Sequence, residues 1–392
     1  MNPTEQAPTR VLLVSHYYPP HLGGIEGVAR QEAERLTAAG ARVTVLTSGP
    51  RSSTVEEDGV TVVRVAAWNG FERHGIPFPV PLPSLFRRAR HWARWADVVH
   101  VHDTFYLTSW AGWFGSASTG TPMVVTQHIA MAEHPQPVVG LIQRLVYALV
   151  GKRLIRRART VFTMNERVAQ FARELGADPS AIRHLPNGVD TEAYRPARDE
   201  RERAALRAGF GLPADAVLIL FAGRLLPKKG FGLLLEAADP AYRLVFAGSG
   251  DARALERRED VHYLGALPAA RMAEAFRACD VFALPTTVNE GFPLVVQEAM
   301  SSGLPVVTTD DPGYAPYALD RDLVALIPRD ADVLHAHLRK LALDPGLRAA
   351  MGDYSRAHAE RNPAWAAHVA TLLECYRAAA EARPPTARRA PR

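Results

Sequence analysis

At 392 residues, 47% of them apolar, the chain can bury two domain-sized cores, and two domains is the expected count. Lys plus Arg exceed Asp plus Glu by 46 − 41 = 5, with a pI near 9.3, a mild excess that suits an anionic substrate or an acidic membrane surface as well as nucleic acid. No apolar run reaches the roughly 18 residues a membrane span needs, and MNPTEQAPTR lacks a signal-peptide core, so a cytoplasmic location is expected.

Residues 11–15 are a short apolar run, and Gly23-Gly24 then precede a helical pattern over 25–39. Strand, glycine turn and helix make the first unit of a doubly wound α/β sheet. The two glycines either let a ligand approach the backbone at that helix start or simply form a tight turn. Residues 42–47, 61–65, 97–102 and 124–128 read as further strands, and the helical stretches between them imply a parallel sheet. Ligands gather at the ends of such strands, which singles out His100, His102, Asp103 and His128. His102 and Asp103 are adjacent and would face opposite sides of a strand, so that pair reads as structural.

Two helical segments are basic and amphipathic. Residues 84–97 set Leu85, Ala89 and Ala93 against Arg87, Arg90 and Arg94; residues 138–158 mix Leu141, Leu145 and Leu149 with Arg144, Lys152 and Arg153. Each stripe either covers a sheet with a solvated cationic face or lies on anionic lipid.

After a strand at 161–164 and a helix at 166–175, the turn-rich P-N-G-V-D of residues 186–190 and the charged run 197–209 mark a domain boundary. The expected organisation is 1–195 and 196–362 as two domains, 363–381 as a last helix, and 382–392 as a Pro- and Arg-rich disordered tail. The strand at 216–221 leads into Gly223-Arg224-Leu225-Leu226-Pro227-Lys228-Lys229-Gly230. There Arg224 could fork two phosphate oxygens and Lys229 add a point charge, or the stretch is a basic surface turn. Gly248-Ser249-Gly250 follows the strand at 244–247 without the third glycine of a dinucleotide site. Cys279 and Cys375 show no C-x-x-C and no Cys/His pairing at metal spacing, and read as packing residues.

The densest stretch is 284–307: a strand end, a polar loop holding Glu290, a helix opening at Pro293 and holding Glu298, then Gly303 and a strand at 305–307. At 1.5 Å per residue Glu298 lies roughly 7–8 Å beyond Pro293 and leans back toward the helix start. Two carboxylates thus flank a helix mouth whose free N–H groups attract anions, a layout suited to a ligand with hydroxyls and a phosphate.

E-G-F-P-L-V-V-Q-E-A-M resembles the E-x7-E signature of retaining glycosyltransferases of family 4. P-P-H-L-G-G-I-E-G, G-R-L-x-x-x-K-G and G-S-G resemble other motifs of that family, in its order and across both halves of the chain. The resemblance implies the GT-B fold, two Rossmann-like doubly wound α/β domains facing across a cleft, with the last helix crossing back to the first domain. It implies that Glu290 contacts the transferred sugar, that backbone from Gly291 through Phe292, Pro293 and Leu294 to Val295 meets sugar and diphosphate, and that Glu298 grips the ribose. By the same resemblance Gly23 and Gly24 line the cleft, His128 stands beside the donor sugar, Gly223, Arg224 and Lys229 serve the donor phosphates, and Gly248 is a substrate-binding residue. The segment holding Tyr263 and Leu267 would meet the base, although the bulk of Tyr263 also suits a core. The implied partners are a nucleoside-diphosphate-sugar and a hydroxyl acceptor, with no nucleic acid, no metal and no cofactor beyond the donor substrate. A phosphorylase or sugar-nucleotide epimerase of the same architecture, or a non-catalytic relative, would share most of these features.

Overall fold

The computed structural model describes residues 7–21, 24–70, 78–131, 137–255, 258–288, 293–361 and 365–382, without the side chains of 137–139. The chain divides into two compact units, one of Met1–Asn187 with Ala366–Arg392 and the other of Gly188–Trp365. The division precedes residue 195 because Val189 and Tyr194 already pack into the second unit's core.

The first unit contains β1 (Arg10–Val14), α1 (Gly24–Ala38), β2 (Arg42–Gly49), β3 (Ser53–Glu57), β4 (Val60–Trp68), β5 (Val80–Pro81), α2 (Ser84–Trp95) and β6 (Val98–His102). It continues through α3 (Leu107–Thr119), β7 (Met123–Gln127), α4 (Pro137–Val146), α5 (Lys152–Arg157), β8 (Val161–Thr163), α6 (Glu166–Glu174) and β9 (Ile182–His184). The strand order is β3-β4-β2-β1-β6-β7-β8-β9, with β5 also pairing with β4. All pairs are parallel except those of β3 and β5 with β4. Val11 to Val14 are fully buried because helices cover both faces of β1, which is why this strand reads as a continuous apolar run. The order reverses between β1 and β6, and ligands of doubly wound sheets bind at such a switch point.

The second unit contains α7 (Glu200–Phe210), β10 (Val217–Ala222), α8 (Phe231–Glu236), β11 (Tyr242–Ala247), β12 (Val261–Gly265), α9 (Ala269–Ala278), β13 (Val281–Leu284), α10 (Leu294–Ser301), β14 (Val306–Thr309), β15 (Ala325–Ile327), α11 (Ala331–Leu343) and α12 (Pro345–Arg361). Its sheet runs β12-β11-β10-β13-β14-β15, wholly parallel, with the switch between β10 and β13. Phe221, Phe246, Phe276 and Phe282 fill one continuous core, and truncating any of them to Ala would cost about 3–5 kcal/mol. The last helix, α13 (Trp365–Glu381), packs Val369, Leu372 and Tyr376 against Val11, Leu13, Val98 and Phe162 of the first unit. Cys279 and Cys375 are both buried free thiols, packing residues as their spacing suggests.

Two local expectations need correction, and three elements carry no sequence pattern that would announce them. Pro293 is the residue before the first helical one, with ψ of 139°, so α10 starts at Leu294. The edge strand β3 and the short β9 carry exposed residues and little apolar pattern, and β3 and β5 make the first sheet mixed at its edge. The helix α3 is rich in small and aromatic residues, which masks its period.

Candidate active site

In the second unit, loops leaving the carboxyl ends of four neighbouring strands interlock. The Gly223 amide donates to Ala247 O (2.9 Å), Leu225 N to Ser249 O (2.8 Å), Gly248 N to Gly265 O (2.8 Å) and Thr287 N to Lys228 O (2.9 Å). Gly248 has φ of 151°, and a Cβ there would stand 1.8 Å from Gly223 O, so no side chain fits. The Tyr263 hydroxyl donates to Gly248 O at 2.9 Å while its ring packs on the core, so its bulk serves both packing and the loop cluster. Leu267 is half-buried just beyond β12. Arg224 is exposed on this cluster and Lys229 half-buried. The mouth of α10 opens from the loop after β13, with Pro293, Leu294 and Val295 half-buried there. Glu290, Gly291 and Phe292 lie outside the described residues, as does Gly23.

Glu298 sits inside α10 and takes a hydrogen bond from the Tyr194 hydroxyl. Loss of water around its carboxyl pushes it up to about 7, with the Tyr194 hydrogen bond pulling the other way. At neutral pH it is therefore poised between donor and acceptor, a useful state for meeting hydroxyl groups.

In the first unit, the loops after β1 and β6 meet at the switch point. His16, two residues beyond β1, stacks on Tyr106 with ring centroids 3.7 Å apart, and burial holds its imidazole down to about 4. Burial opposes ionisation of Glu26, yet the hydrogen bond from His21 and the nearby His16 hold its carboxyl below the ordinary range. Gly24 is the first residue of α1. At the end of β6 the backbone turns at Asp103, whose φ of 57° swings its side chain back to accept the His128 amide at 2.9 Å. Burial pushes Asp103 up to about 7. His128 is kept well below the usual imidazole range by burial, and its Nε2 lies 2.9 Å from His102 Nδ1.

The sequence reading set the His102–Asp103 pair aside because strand neighbours face opposite ways. That holds only while the strand continues. The turn at Asp103 places both residues against His128, one through its ring and one through its carboxylate. Glu32, His368 and Tyr376, joined to His100 and His102 in one buried cluster, also escaped the sequence reading. The available signal was a glutamate among Val28, Ala29, Ala33 and Leu36, on the buried face of α1.

Glu32, His100 and His102 bring three potential ligand atoms within 4.8 Å of one another. The Tyr376 hydroxyl lies 2.7 Å from His100 Nδ1 and His368 Nε2 lies 2.9 Å from Glu32 Oε1, while Glu32 Oε2 and His102 Nε2 face each other at 3.3 Å. Two D-x-D strings occur elsewhere and serve local structure: Asp330 of Asp330-Ala331-Asp332 caps α11, and Asp320 of Asp320-Arg321-Asp322 accepts the Asp322 amide.

A family model described as Glycosyltransferase Family 4 matches residues 22–193, and one described as Glycosyl transferases group 1 matches residues 202–358. The chain is 30% identical over 396 residues to a D-inositol 3-phosphate glycosyltransferase of Xylanimonas cellulosilytica, covering 92% of this chain and 93% of that one. A protein of the same name from Saccharomonospora viridis is 30% identical over 400 residues, covering 91% and 89%. Among solved structures, HepE of Anabaena in complex with UDP-glucose superposes with a TM-score of 0.75 at 18% identity, covering 94% of this chain and 99% of that one. Sucrose-phosphate synthase from Thermosynechococcus elongatus superposes at 0.74 with 20% identity, covering 94% and 98%.

Proposed function

The chain belongs to glycosyltransferase family 4, with the GT-B fold, and on that footing we propose a retaining, metal-independent enzyme that moves a sugar from a nucleoside diphosphate to a hydroxyl acceptor. The observation that carries this reading is the interlocked loop cluster of the second unit. It brings Arg224, Lys229 and the backbone of Gly223 and Gly248 to one end of the sheet, beside the loop that opens α10.

As the bond from the anomeric carbon to the diphosphate oxygen breaks, negative charge grows on the diphosphate and the sugar becomes oxocarbenium-like. Arg224 and Lys229 stabilise that charge, aided by the free amides at the start of α10. The acceptor oxygen bonds the anomeric carbon on the face the diphosphate leaves, and its proton passes to the departing phosphate oxygen. No protein nucleophile and no metal take part. In the second unit Glu290 holds the sugar hydroxyls, Glu298 the ribose, and the segment of Tyr263 and Leu267 the base; in the first unit His128, Gly23 and Gly24 are the residues assigned to substrate.

Two features bear on the acceptor. The relatives named as D-inositol 3-phosphate glycosyltransferases make a phosphorylated cyclitol the first acceptor to assay. The exposed leucines of α4 beside Arg144, Lys152 and Arg153 support contact with an anionic membrane, and so make a lipid-linked acceptor the second. The stripe of α2 does not, because Leu85, Ala89 and Ala93 are fully buried.

The decisive experiment incubates EDTA-treated enzyme with UDP-, GDP-, ADP- and TDP-sugars and each acceptor, and reads the product's anomeric proton by NMR. Transfer with the donor's anomeric configuration kept supports the reading. Inverted product, or activity restored only by divalent metal, overturns it. Free sugar phosphate or an isomerised donor in the absence of acceptor would assign a phosphorylase or epimerase instead.

A further inference from the structure

At the edge of the first sheet opposite the switch point, the segments leading into β7 and β8 and the end of α5 line an open cavity of about 640 Å³. Its walls carry Arg153, Arg156, Arg157 and Arg159 together with Trp113 and Met123, and among the described residues no acidic one lines it. At about 3.3 Å per residue the cavity lies roughly 16 Å from His128, which stands at the other end of β7. It is therefore distinct from the loops at the carboxyl ends of the strands, where ligands of doubly wound sheets gather.

The arginines are held in place but not neutralised. Arg157 donates from Nε to Ser116 Oγ (3.1 Å) and from Nη2 to Ser116 O (3.1 Å), which ties α5 to α3. The Arg159 amide donates to Met123 O at 2.8 Å, fixing that residue between β7 and β8. Arg156 lies over Gly176: a Cβ built on the glycine would stand 2.7 Å from its Nε, so bare backbone makes its seat. Among the described residues no carboxylate pairs with any of the four. Burial, and then the charge of Arg159, pull the Arg157 guanidinium below its usual value, and the second cause is that of like charges side by side. A helix C-terminus favours cations, which accounts for Arg156 and Arg157 in the last turn of α5. It does not account for Arg159, two residues past the helix end, or for the missing carboxylate.

We propose that this cavity is a second anion site, which binds a phosphate-bearing ligand through the guanidiniums of Arg156, Arg157 and Arg159. Guanidiniums fork phosphate oxygens in pairs, and an anion among them also relieves their mutual repulsion. Trp113 and Met123 offer an apolar wall to the carbon skeleton of such a ligand. The group recognised is the same in a free phosphorylated molecule and in a phosphorylated lipid headgroup. The site belongs wholly to the first unit, so it stands whether or not the second unit handles a nucleotide-sugar.

The test titrates tripolyphosphate into the full chain carrying Arg224→Ala and Lys229→Ala, which removes the donor cations. Binding is read by calorimetry and by tryptophan fluorescence, with Trp113→Phe showing how much of the signal comes from the cavity. Adding Arg156→Gln and Arg159→Gln should weaken binding roughly tenfold for each arginine replaced. Adding Arg87→Gln and Arg90→Gln on α2 instead, an equal loss of charge from the same unit, should leave it nearly unchanged. If the cavity pair disturbs folding in a thermal melt, Arg159→Gln alone, outside any helix, carries the comparison. Unchanged affinity without the cavity arginines, or equal weakening by both pairs, overturns the site in favour of diffuse attraction. A second arm offers vesicles with phosphatidic acid or phosphatidylglycerol at equal surface charge to protein carrying Leu141→Glu and Leu145→Glu. Vesicle binding that requires phosphatidic acid and the cavity arginines assigns a lipid headgroup, and tripolyphosphate binding alone assigns a free ligand. No response in either arm overturns the proposal.

Discussion

Gly230 stands against Pro285: a Cβ built on the glycine would lie 1.7 Å from the proline's carbonyl oxygen. The loops after β10 and β13 therefore touch backbone to backbone on either side of the switch point, and the cationic turn is braced by the loop that leads to α10. Gly230 also has φ of 77°, which L side chains adopt at a cost of about 1–2 kcal/mol before any clash. Gly230→Ala should lower stability by more than about 2 kcal/mol and weaken donor binding, because Lys229 moves with the turn. Denaturant melts and donor titration check this, and unchanged donor affinity would show that the bracing has no functional role.

Arg224 gives the contrasting case, since it is exposed and its removal leaves no cavity. Arg224→Ala should cut turnover by orders of magnitude with the melting temperature nearly unchanged, and Glu290→Ala should do the same. Removing a group that acts on developing charge costs roughly 10²–10³ in kcat. Steady-state rates beside thermal melts separate this from a folding defect.

Glu298 makes donor binding depend on pH. Its carboxyl is pushed up to about 7 in the free protein, and ribose hydroxyls would donate to the ionised form. Binding then favours loss of the proton, so affinity should fall as pH drops below 7 and level off above it. A nucleotide-sugar is the right titrant because its diester phosphates do not titrate in this window. Calorimetry should show the slope in wild type, and both weaker affinity and no slope in Glu298→Ala.

The glycine and cation motifs of the second unit were legible because each is contiguous: a turn needs its glycines and its charges within a few residues. The strands β1, β10 and β13 were legible for a related reason, since burial on both faces writes itself as a nearly unbroken apolar run. Glu32 and His368 stand 336 positions apart and meet only when α13 packs on the first unit. No local pattern announces such a pair. The opposite-faces argument for His102 and Asp103 fails for a different cause, because β6 ends at His102 and the backbone turns at Asp103. The exposed β3 shows the same limit from the other side, because an edge strand with water on both faces has no apolar period to read.

The buried histidines should make the first unit acid-sensitive. Burial holds His16 down to about 4 and His100 to about 3, whereas unfolded imidazoles take protons near 6.5. Between these values the unfolded chain binds more protons, so the stability is fully present above about 6.5 and is lost as pH falls toward 3–4. Glu32, held well below the usual carboxylate range, acts in the same direction below about 4.5. Asp103 opposes them. Pushed up to about 7, it keeps a proton that the unfolded chain releases near 3.9, so its contribution falls as pH rises to 7. Five of the six tryptophans lie in the first unit, so their fluorescence reports its unfolding. Melts should drop steeply from pH 6.5 to 4, and Asp103→Asn should raise stability more at pH 8 than at pH 5.

The outer face of α4 and of the turn that follows it at Tyr147–Gly151 leads to the last prediction. Leu141, Ile142, Leu145 and Leu149 are 65%, 53%, 56% and 49% exposed, an apolar stripe that an ordinary sheet-covering helix would bury. Arg144 and Arg153 are exposed on the same helical stretch, each worth about 1 kcal/mol at an anionic bilayer surface. Apolar insertion and charge attraction together predict co-sedimentation with vesicles rich in anionic lipid, weak binding to neutral ones, and release as salt screens the arginines. Leu141→Glu with Leu145→Glu should abolish vesicle binding while leaving transfer to a water-soluble acceptor intact. Replacing Arg87 and Arg90 on α2 should matter far less, because the apolar residues of that helix are already buried and only its charges remain to act. Equal binding to neutral vesicles, or full binding by the double variant, would assign the stripe to another partner.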